Sequence, residues 1–212
     1  ECAGVPLLWW TLKDSAFAKS LTDIVVSSDS DRILDSAREC ADLLGVNKIE
    51  TARRSSELAQ DDTSTEAVIE YVLMQRDVKP DVIVLLQPTS PIRSFSEIDG
   101  AVNKLVDRNL DSLLSVVPSH TFVWQQVGDA YIANYEVHNR PRRQDFSQYE
   151  ENGSIYAFTM EHWNREHNRL GGKMGLYQMP EESRYQIDTP LDLYVVSKTL
   201  EIRLGTFPIH TN

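Results

Sequence analysis

Cysteine and positive charge are both scarce in this sequence of 212 residues. The two cysteines, Cys2 and Cys40, have neither the spacing of metal ligands nor that of a redox pair, which favours a reducing cytoplasm. The 21 Lys and Arg against 32 Asp and Glu give a net charge of -11. Nucleic-acid-binding proteins neutralise phosphates with a surplus of basic residues, so nucleic acid is not expected as a partner. No apolar run is long enough to cross a membrane, and we expect no membrane partner either.

Apolar strands and amphipathic helices alternate over the first half of the chain, and this pattern predicts a doubly wound α/β fold with a mostly parallel sheet. Proline suits the first turn of a helix, so Pro6 should open one that ends near Ser20. The predicted strands cover residues 23–27, 48–51, 82–86 and 111–117, and the predicted helices cover 29–44, closed by Gly45, 63–75 and 96–106.

The pattern changes after Ser119, where polar and aromatic residues alternate. This alternation predicts an antiparallel arm, residues 119–150, inserted in a single domain that spans residues 1–212. Strands should return at 153–158 and 174–179. A last helix should follow Thr189 as N-cap, with Pro190 at its first position and Asp192 near the positive end of the helix dipole.

The stretch Gln87-Pro-Thr-Ser-Pro-Ile-Arg93 follows the apolar strand 82–86. Ligands of doubly wound folds bind beyond the carboxyl ends of the strands. Thr89 and Ser90 have two interpretations, as site residues or as caps of the helix near Phe95. Gln87 favours a site, because a sheet interior does not easily satisfy a full amide. Asp29 follows another strand, and it fits a helix cap at least as well as a function.

The densest cationic cluster is His138-Asn-Arg-Pro-Arg142-Arg143, which fits either an anion site or a solvated surface run.

Several stretches of the chain, taken together in their order and spacing, are specific for one family. The sequence strongly resembles the acylneuraminate cytidylyltransferases, or CMP-sialic acid synthetases, from residue 1 to about 205. The resemblance rests on "VVSSDS", "RRSSELAQDDTST", "LLQPTSPIRSFSEID", "NRPRRQDF", "YEENGSIYAF", "GGKMGLYQM" and "IDTPLDL".

The resemblance implies a Rossmann-like nucleotidyltransferase that transfers CMP from CTP to the anomeric hydroxyl of a sialic acid, releases pyrophosphate and uses Mg²⁺. By the same resemblance, cytidine would be held by Arg54, Ser64 and Thr65. The residues expected to bind the sugar acid are Gln87, Thr89, Ser90, Arg142, Asn152 and Tyr156. An arginine fork pairs with a carboxylate bidentately, so Arg142 would clamp the sugar acid's carboxylate. Tyr156 has the alternative of a half-buried sheet tyrosine.

The sequence departs from the family at two places. Where the family carries two acids around the segment Gln186-Ile187-Asp188, only Asp188 is acidic, so Asp188 is the expected metal ligand and a turn acid is its alternative. The family's first strand and basic glycine-containing loop would precede Glu1, and no catalytic residue can be assigned without them. We expect a truncated chain or the ordered part of a longer one. The lost strand would leave its two neighbours in the sheet with unpaired backbone groups.

The family usually dimerises through the arm, and aromatic residues bury well at interfaces, so we expect a homodimer anchored by Phe122, Trp124, Tyr131 and Tyr135. The alternative is that these aromatics only pack the arm on its own domain. Two other functions stay open: the same chemistry on legionaminic or another nonulosonic acid, and a degenerate binding subunit if the chain starts at Glu1. Fold analogy does not separate them. The sequence also leaves open the source organism and the effect of Gln186 on metal binding.

Overall fold

The computed structural model describes residues 1–205, so the last residues of the predicted domain, 206–212, lie outside the described part. Helices and strands alternate along the first half of the chain, as expected. In chain order the elements are α1 (Leu7–Phe17), β1 (Ile24–Ser28), α2 (Asp31–Leu44), β2 (Ile49–Arg53), α3 (Thr65–Met74), β3 (Val82–Leu86), α4 (Phe95–Asp107), β4 (Ser112–Ser119), β5 (Trp124–Val127), β6 (Ala130–Ala133), β7 (Gln148–Thr159), α5 (Met160–Glu166), β8 (Met174–Gln178) and α6 (Pro190–Arg203).

The central sheet has four strands in the order β3-β7-β4-β8. β7 is antiparallel to both β3 and β4, whereas β4 and β8 are parallel. Three of the four strands therefore share one direction and the sheet is mixed. The expected α/β class with a Rossmann-like sheet is confirmed, and the carboxyl ends of β3, β4 and β8 lie on the same edge as the amino-terminal half of β7.

The two faces of this sheet are covered by different helices, because successive strand residues point to opposite faces. On one face, Ile155 and Ala157 of β7 pack in a buried cluster with Ile98 and Leu105 of α4. On the other face, Phe158 packs with α3 and with Trp163 of α5. This two-sided cover is the physical basis of the doubly wound arrangement.

β1 and β2 form a separate parallel pair, on which α1 and α2 pack through Leu12 and Ala37. Within residues 1–205, β1 pairs only with β2, and the one strand partner of β3 is β7. Each of the two strands thus has one edge without a strand partner.

Local signals explain most helix ends, with a few corrections. Gly45 closes α2 with a left-handed φ of 66°, and Thr189 caps α6 with Pro190 at its first turn and Asp192 completing the capping box. α1 is shorter than predicted, since it ends at Phe17, and Pro6 occupies its N-cap position rather than its first turn. Asp29 is not a cap, because Ser30 precedes α2.

The segment after β4 contains an antiparallel hairpin, β5 and β6, as the alternation predicted. Phe122, Tyr135 and Phe146 pack at its base, with ring centroids of Phe122 and Tyr135 4.6 Å apart. No helix in the described part of the chain has the length and hydrophobicity needed to span a membrane.

Candidate active site

The loop after β3 is held by buried groups at the carboxyl edge of the central sheet. Thr89 is exposed and Ser90 is buried. Neither caps α4, because Ser94 forms the capping box of that helix with Glu97. The interpretation of Thr89 and Ser90 as caps of α4 is therefore wrong. A different residue fixes the shape of the loop.

Arg93, a buried arginine at the end of the loop, fixes the shape of the loop. Its guanidinium donates to the carbonyl oxygens of Gln87 and Ser90, with 3.1 Å from Nε to the Ser90 oxygen. Burial lowers the pKa of Arg93 to about 10, while the nearby carboxylates of Asp14 and Glu97 oppose that shift. The side chain thus stays charged at neutral pH and cross-links both ends of the turn.

A wide bulge in β7 faces this loop. The pairing shifts from Leu114 with Tyr156 to Val116 with Glu151, so that β7 advances five positions where β4 advances two. The Ser115 hydroxyl fills the gap, since it donates to Asn152 Oδ1 at 2.6 Å and accepts from the Ile155 amide at 2.8 Å. Bulges of this kind re-aim backbone and side chains next to binding sites.

Asn152 is fully buried in the bulge, and its amide is occupied by the protein. Its Nδ2 donates to the Ser183 hydroxyl at 3.0 Å, and its Oδ1 also accepts from the Ser154 amide. The side chain therefore shapes the bulge, and its predicted contact with the sugar acid stays a prediction.

Gly153 brings two distant glutamines together. Its φ is +63°, a conformation that favours glycine. A methyl group at Gly153 would lie 2.8 Å from the amide oxygen of Gln87 and 2.8 Å from that of Gln186. Loop, bulge and the segment before α6 thus meet at one point on the carboxyl edge of the sheet.

The segment before α6 is fixed to the loop by its backbone. The Ile187 amide donates to the Thr89 carbonyl oxygen at 2.8 Å, and the Asp188 amide donates to Asp192 Oδ2 at 3.2 Å. Asp188 is exposed. Within residues 1–205 no group of three or more His, Cys, Asp and Glu side chains is arranged to hold a metal ion.

Tyr156 lies on β7 directly after the bulge, opposite Leu114 of β4, and is buried. Its hydroxyl donates to Glu151, and burial together with this carboxylate raises the pKa of the phenol. Arg169 lies over the ring at 5.0 Å and forms an ion pair with Glu66 in the first turn of α3 at 2.5 Å. A continuous set of contacts therefore joins Tyr156 to the amino end of α3.

The residues expected to hold cytidine lie around that end of α3 and the ends of β1 and β2. Ser64 caps α3 by accepting from the Ala67 amide at 3.2 Å, and Thr65 begins the helix. Arg54 follows β2 and donates from Nη1 to the Ser27 carbonyl oxygen of β1 at 2.8 Å. In the described structure none of these three residues touches Gln87, Gly153 or Gln186.

Arg142 lies in the arm and is exposed. Its guanidinium forms no hydrogen bond or ion pair with any residue from 1 to 205. The neighbouring Arg140 packs instead over the Phe122 ring at 4.8 Å. One arginine of the cationic cluster thus stabilises the arm, and Arg142 is available to a ligand.

Sequence reasoning missed Arg93 and the contact of Gln186 with Gly153. Arg93 had one signal, a cation placed directly after a turn held by two prolines. The contact of Gln186 had none, because 33 positions separate it from Gly153.

The architecture has counterparts among solved structures. It resembles the crystal structure of a 4-diphosphocytidyl-2C-methyl-D-erythritol synthase from Anaerococcus prevotii with a TM-score of 0.69, at 15% identity over 95% of this chain and 88% of that one. It also resembles a CMP:2-keto-3-deoxy-manno-octonic acid synthetase complexed with CTP, with a TM-score of 0.65, 13% identity and coverage of 96% and 90%. At these identities the likeness shows the fold alone.

The sequence shows the family as well as the fold, because a model of the cytidylyltransferase family matches residues 1–205. The chain belongs to that family. N-acylneuraminate cytidylyltransferase B from Danio rerio is 33% identical, with 97% of this chain and 47% of that protein covered. The chain thus spans about half the length of the curated relatives it matches. This identity agrees with the resemblance to the acylneuraminate branch.

Proposed function

We propose that the protein transfers CMP from CTP to the anomeric hydroxyl of a sialic acid. The hydroxyl oxygen would lose its proton to solvent and form a bond to the α-phosphorus, while the bond from the α-phosphorus to the oxygen that bridges it to the β-phosphorus breaks and pyrophosphate leaves with that oxygen. The observation that carries the proposal is the meeting of Gln87, Gly153 and Gln186 at the carboxyl edge of a cytidylyltransferase fold. The relatives named N-acylneuraminate cytidylyltransferases support the choice of sugar acid.

Several polar atoms near the strand ends favour a ligand there. Ser27 Oγ, Arg54 Nε, Ser90 Oγ and Arg93 Nη1 are buried and have no hydrogen-bond partner among residues 1–205. Buried polar groups usually have partners, and a bound ligand or water supplies them in a functional site. Arg54 follows the carboxyl end of β2, and with Ser64 and Thr65 it would hold the cytidine.

The sugar acid would lie between the arm and the loop after β3. The Arg142 guanidinium, which has no partner among residues 1–205, is suited to the carboxylate of the sugar acid, and the exposed Thr89 is open to the hydroxyls of the sugar acid. Tyr156 stays a predicted contact of the sugar acid, and its hydroxyl is engaged by Glu151 while Arg169 lies over its ring.

Mg²⁺ would be held mainly by the triphosphate. Magnesium takes oxygen ligands and is commonly bound by one or two carboxylates plus substrate phosphates and water. The exposed carboxylate of Asp188 fits one such ligand. Bound there, the ion would screen phosphate charge, while the protein residues position the two substrates.

The arm would bind a second copy of the chain. Trp124 and Tyr131, two of its expected anchors, are 51% and 66% exposed, whereas Phe122 and Tyr135 pack on each other.

The cytoplasm suits the two buried thiols, Cys2 and Cys40, which are not paired in a disulfide.

The direct test is pyrophosphate release from CTP with N-acetylneuraminic acid and Mg²⁺. We expect release only when both substrates are present, and legionaminic acid in a parallel reaction ranks the two sugars. Arg142→Ala should raise KM for the sugar acid more than KM for CTP, whereas Arg32→Ala, an exposed arginine on α2, is the matched control. CTP binding without release would favour a binding subunit and contradict the proposal.

A further inference from the structure

Gln186 stands at the position where the family carries an acid expected to bind metal, yet its surroundings in the fold are those of the loop after β3. Ser183, three residues earlier, accepts a hydrogen bond from Asn152 in the β7 bulge, and Ile187 donates to the Thr89 carbonyl oxygen. These two contacts hold the segment against the loop and the bulge. Gln186 lies between them and is partly exposed.

The amides of Gln186 and Gln87 approach each other across Gly153. Each amide oxygen is 2.8 Å from the point that a methyl group of residue 153 would occupy, so the two oxygens are separated by no more than twice that distance. Only the absence of a side chain at Gly153 leaves room for both. Neither side-chain amide forms a hydrogen bond with any residue between 1 and 205.

Two neighbouring amides without partners can bind a group that both donates and accepts hydrogen bonds. Each amide offers two N–H donors and one carbonyl acceptor. The hydroxyls of a sugar match this set, since each can donate one hydrogen bond and accept others. A carboxylate at position 186 would only accept, and its charge would repel the sugar acid and the triphosphate.

We propose that Gln186 is a specificity-determining residue that binds the hydroxyl-bearing part of the sugar acid together with Gln87, and that it does not take the place of a metal ligand. The proposal rests on the proposed function, since it names the sugar contact of the same site. Metal binding would then depend on Asp188 and the phosphates alone.

The test compares Gln186→Glu and Gln186→Leu with the wild-type protein. The dissociation constant of N-acetylneuraminic acid is measured by saturation-transfer NMR, and that of CTP by calorimetry with and without Mg²⁺. Both variants should bind the sugar acid about tenfold more weakly, because a partner of its hydroxyls is lost. CTP affinity and its dependence on Mg²⁺ should change by less than about twofold. Gln75→Glu, the same chemical change at the opposite end of α3 from Ser64, should alter neither.

The opposite result is tighter CTP binding by Gln186→Glu in Mg²⁺ with sugar affinity unchanged. That result would make position 186 a metal site and overturn the inference. Sugar affinity unchanged in both variants would also overturn it while leaving the proposed function intact. Failure of the wild-type protein to bind CTP would instead remove the proposed function itself. Thermal unfolding of each variant checks that the fold is preserved, and Gln186→Asn, shorter by one methylene group, gives an independent reading if one of them unfolds.

Discussion

At the scale of single residues, Gly153 decides whether the candidate site can form. Gly153→Ala should cost about 1–2 kcal/mol for the left-handed backbone alone and about 1 kcal/mol or more for the collision with Gln87 and Gln186. Gly45→Ala is the matched control, because its φ is also positive and a methyl group there meets no atom within 4 Å. Chemical denaturation of both variants measures the difference, and equal losses would show that the two amides move aside freely.

Arg93 shapes the loop that carries Gln87. Arg93→Met should lower the free energy of unfolding by about 2–4 kcal/mol, since it removes the guanidinium donors to the carbonyl oxygens of Gln87 and Ser90 and the cation near the buried carboxylate of Asp14. The exposed Arg32 again supplies the control, as Arg32→Met should change stability by less than about 0.5 kcal/mol. Similar values for the two variants would show that the loop keeps its shape without Arg93.

At the scale of elements, Asp99 of α4 joins that helix to the connection between α1 and β1. Its carboxylate accepts from the Ser20 hydroxyl at 2.7 Å and from the backbone amides of Ser20 and Lys19 at 2.8 Å and 3.2 Å. Burial by itself would raise the pKa of Asp99, but these hydrogen bonds outweigh it and the pKa lies below its ordinary value.

A depressed folded-state pKa means that Asp99 stabilises the protein above the ordinary carboxyl pKa of 3.8 and ceases to do so as the pH falls through the folded value. Asp99→Asn should therefore lower stability at pH 7, and the difference from wild type should shrink below about pH 4. Unfolding curves at pH 7, 4 and 3 measure this trend. A difference that stays constant with pH, or an equal trend in the exposed Asp42→Asn control, would contradict the assignment.

The periodicity of the sequence predicts the order of the helices and strands, but it predicts only part of the candidate site. β3 was predicted at its observed bounds because five consecutive apolar residues end sharply at Gln87. The direction of β7 has no signature in periodicity, since a buried strand has the same composition whether its neighbours are parallel or antiparallel. The bulge at Asn152 depends on the Ser115 hydroxyl of another strand, and such long-range partners are not visible in a local pattern.

At the scale of the whole molecule, the exposed aromatic residues of the arm predict that two copies of the chain associate. Light scattering should give about twice the chain mass of 24.2 kDa. Replacing Trp124 and Tyr131 with serine should return the mass to that of one chain, because aromatic anchors dominate interfaces of this kind. Leu43→Ser, at an exposed apolar residue of α2, is the control that should leave the mass unchanged. A monomeric wild-type protein would show that the aromatics serve the arm alone.

In the part of the chain that the structure describes, one edge of β3 has no strand partner, and this has a consequence for hydrogen exchange. In an antiparallel pair, alternate residues point their amides toward the partner strand and the rest point away. Along Val82–Leu86, slowly exchanging amides bonded to β7 should thus alternate with rapidly exchanging ones. Amide exchange followed by NMR would show this two-residue rhythm, and slow exchange at every position would instead show that another backbone segment occupies the second edge.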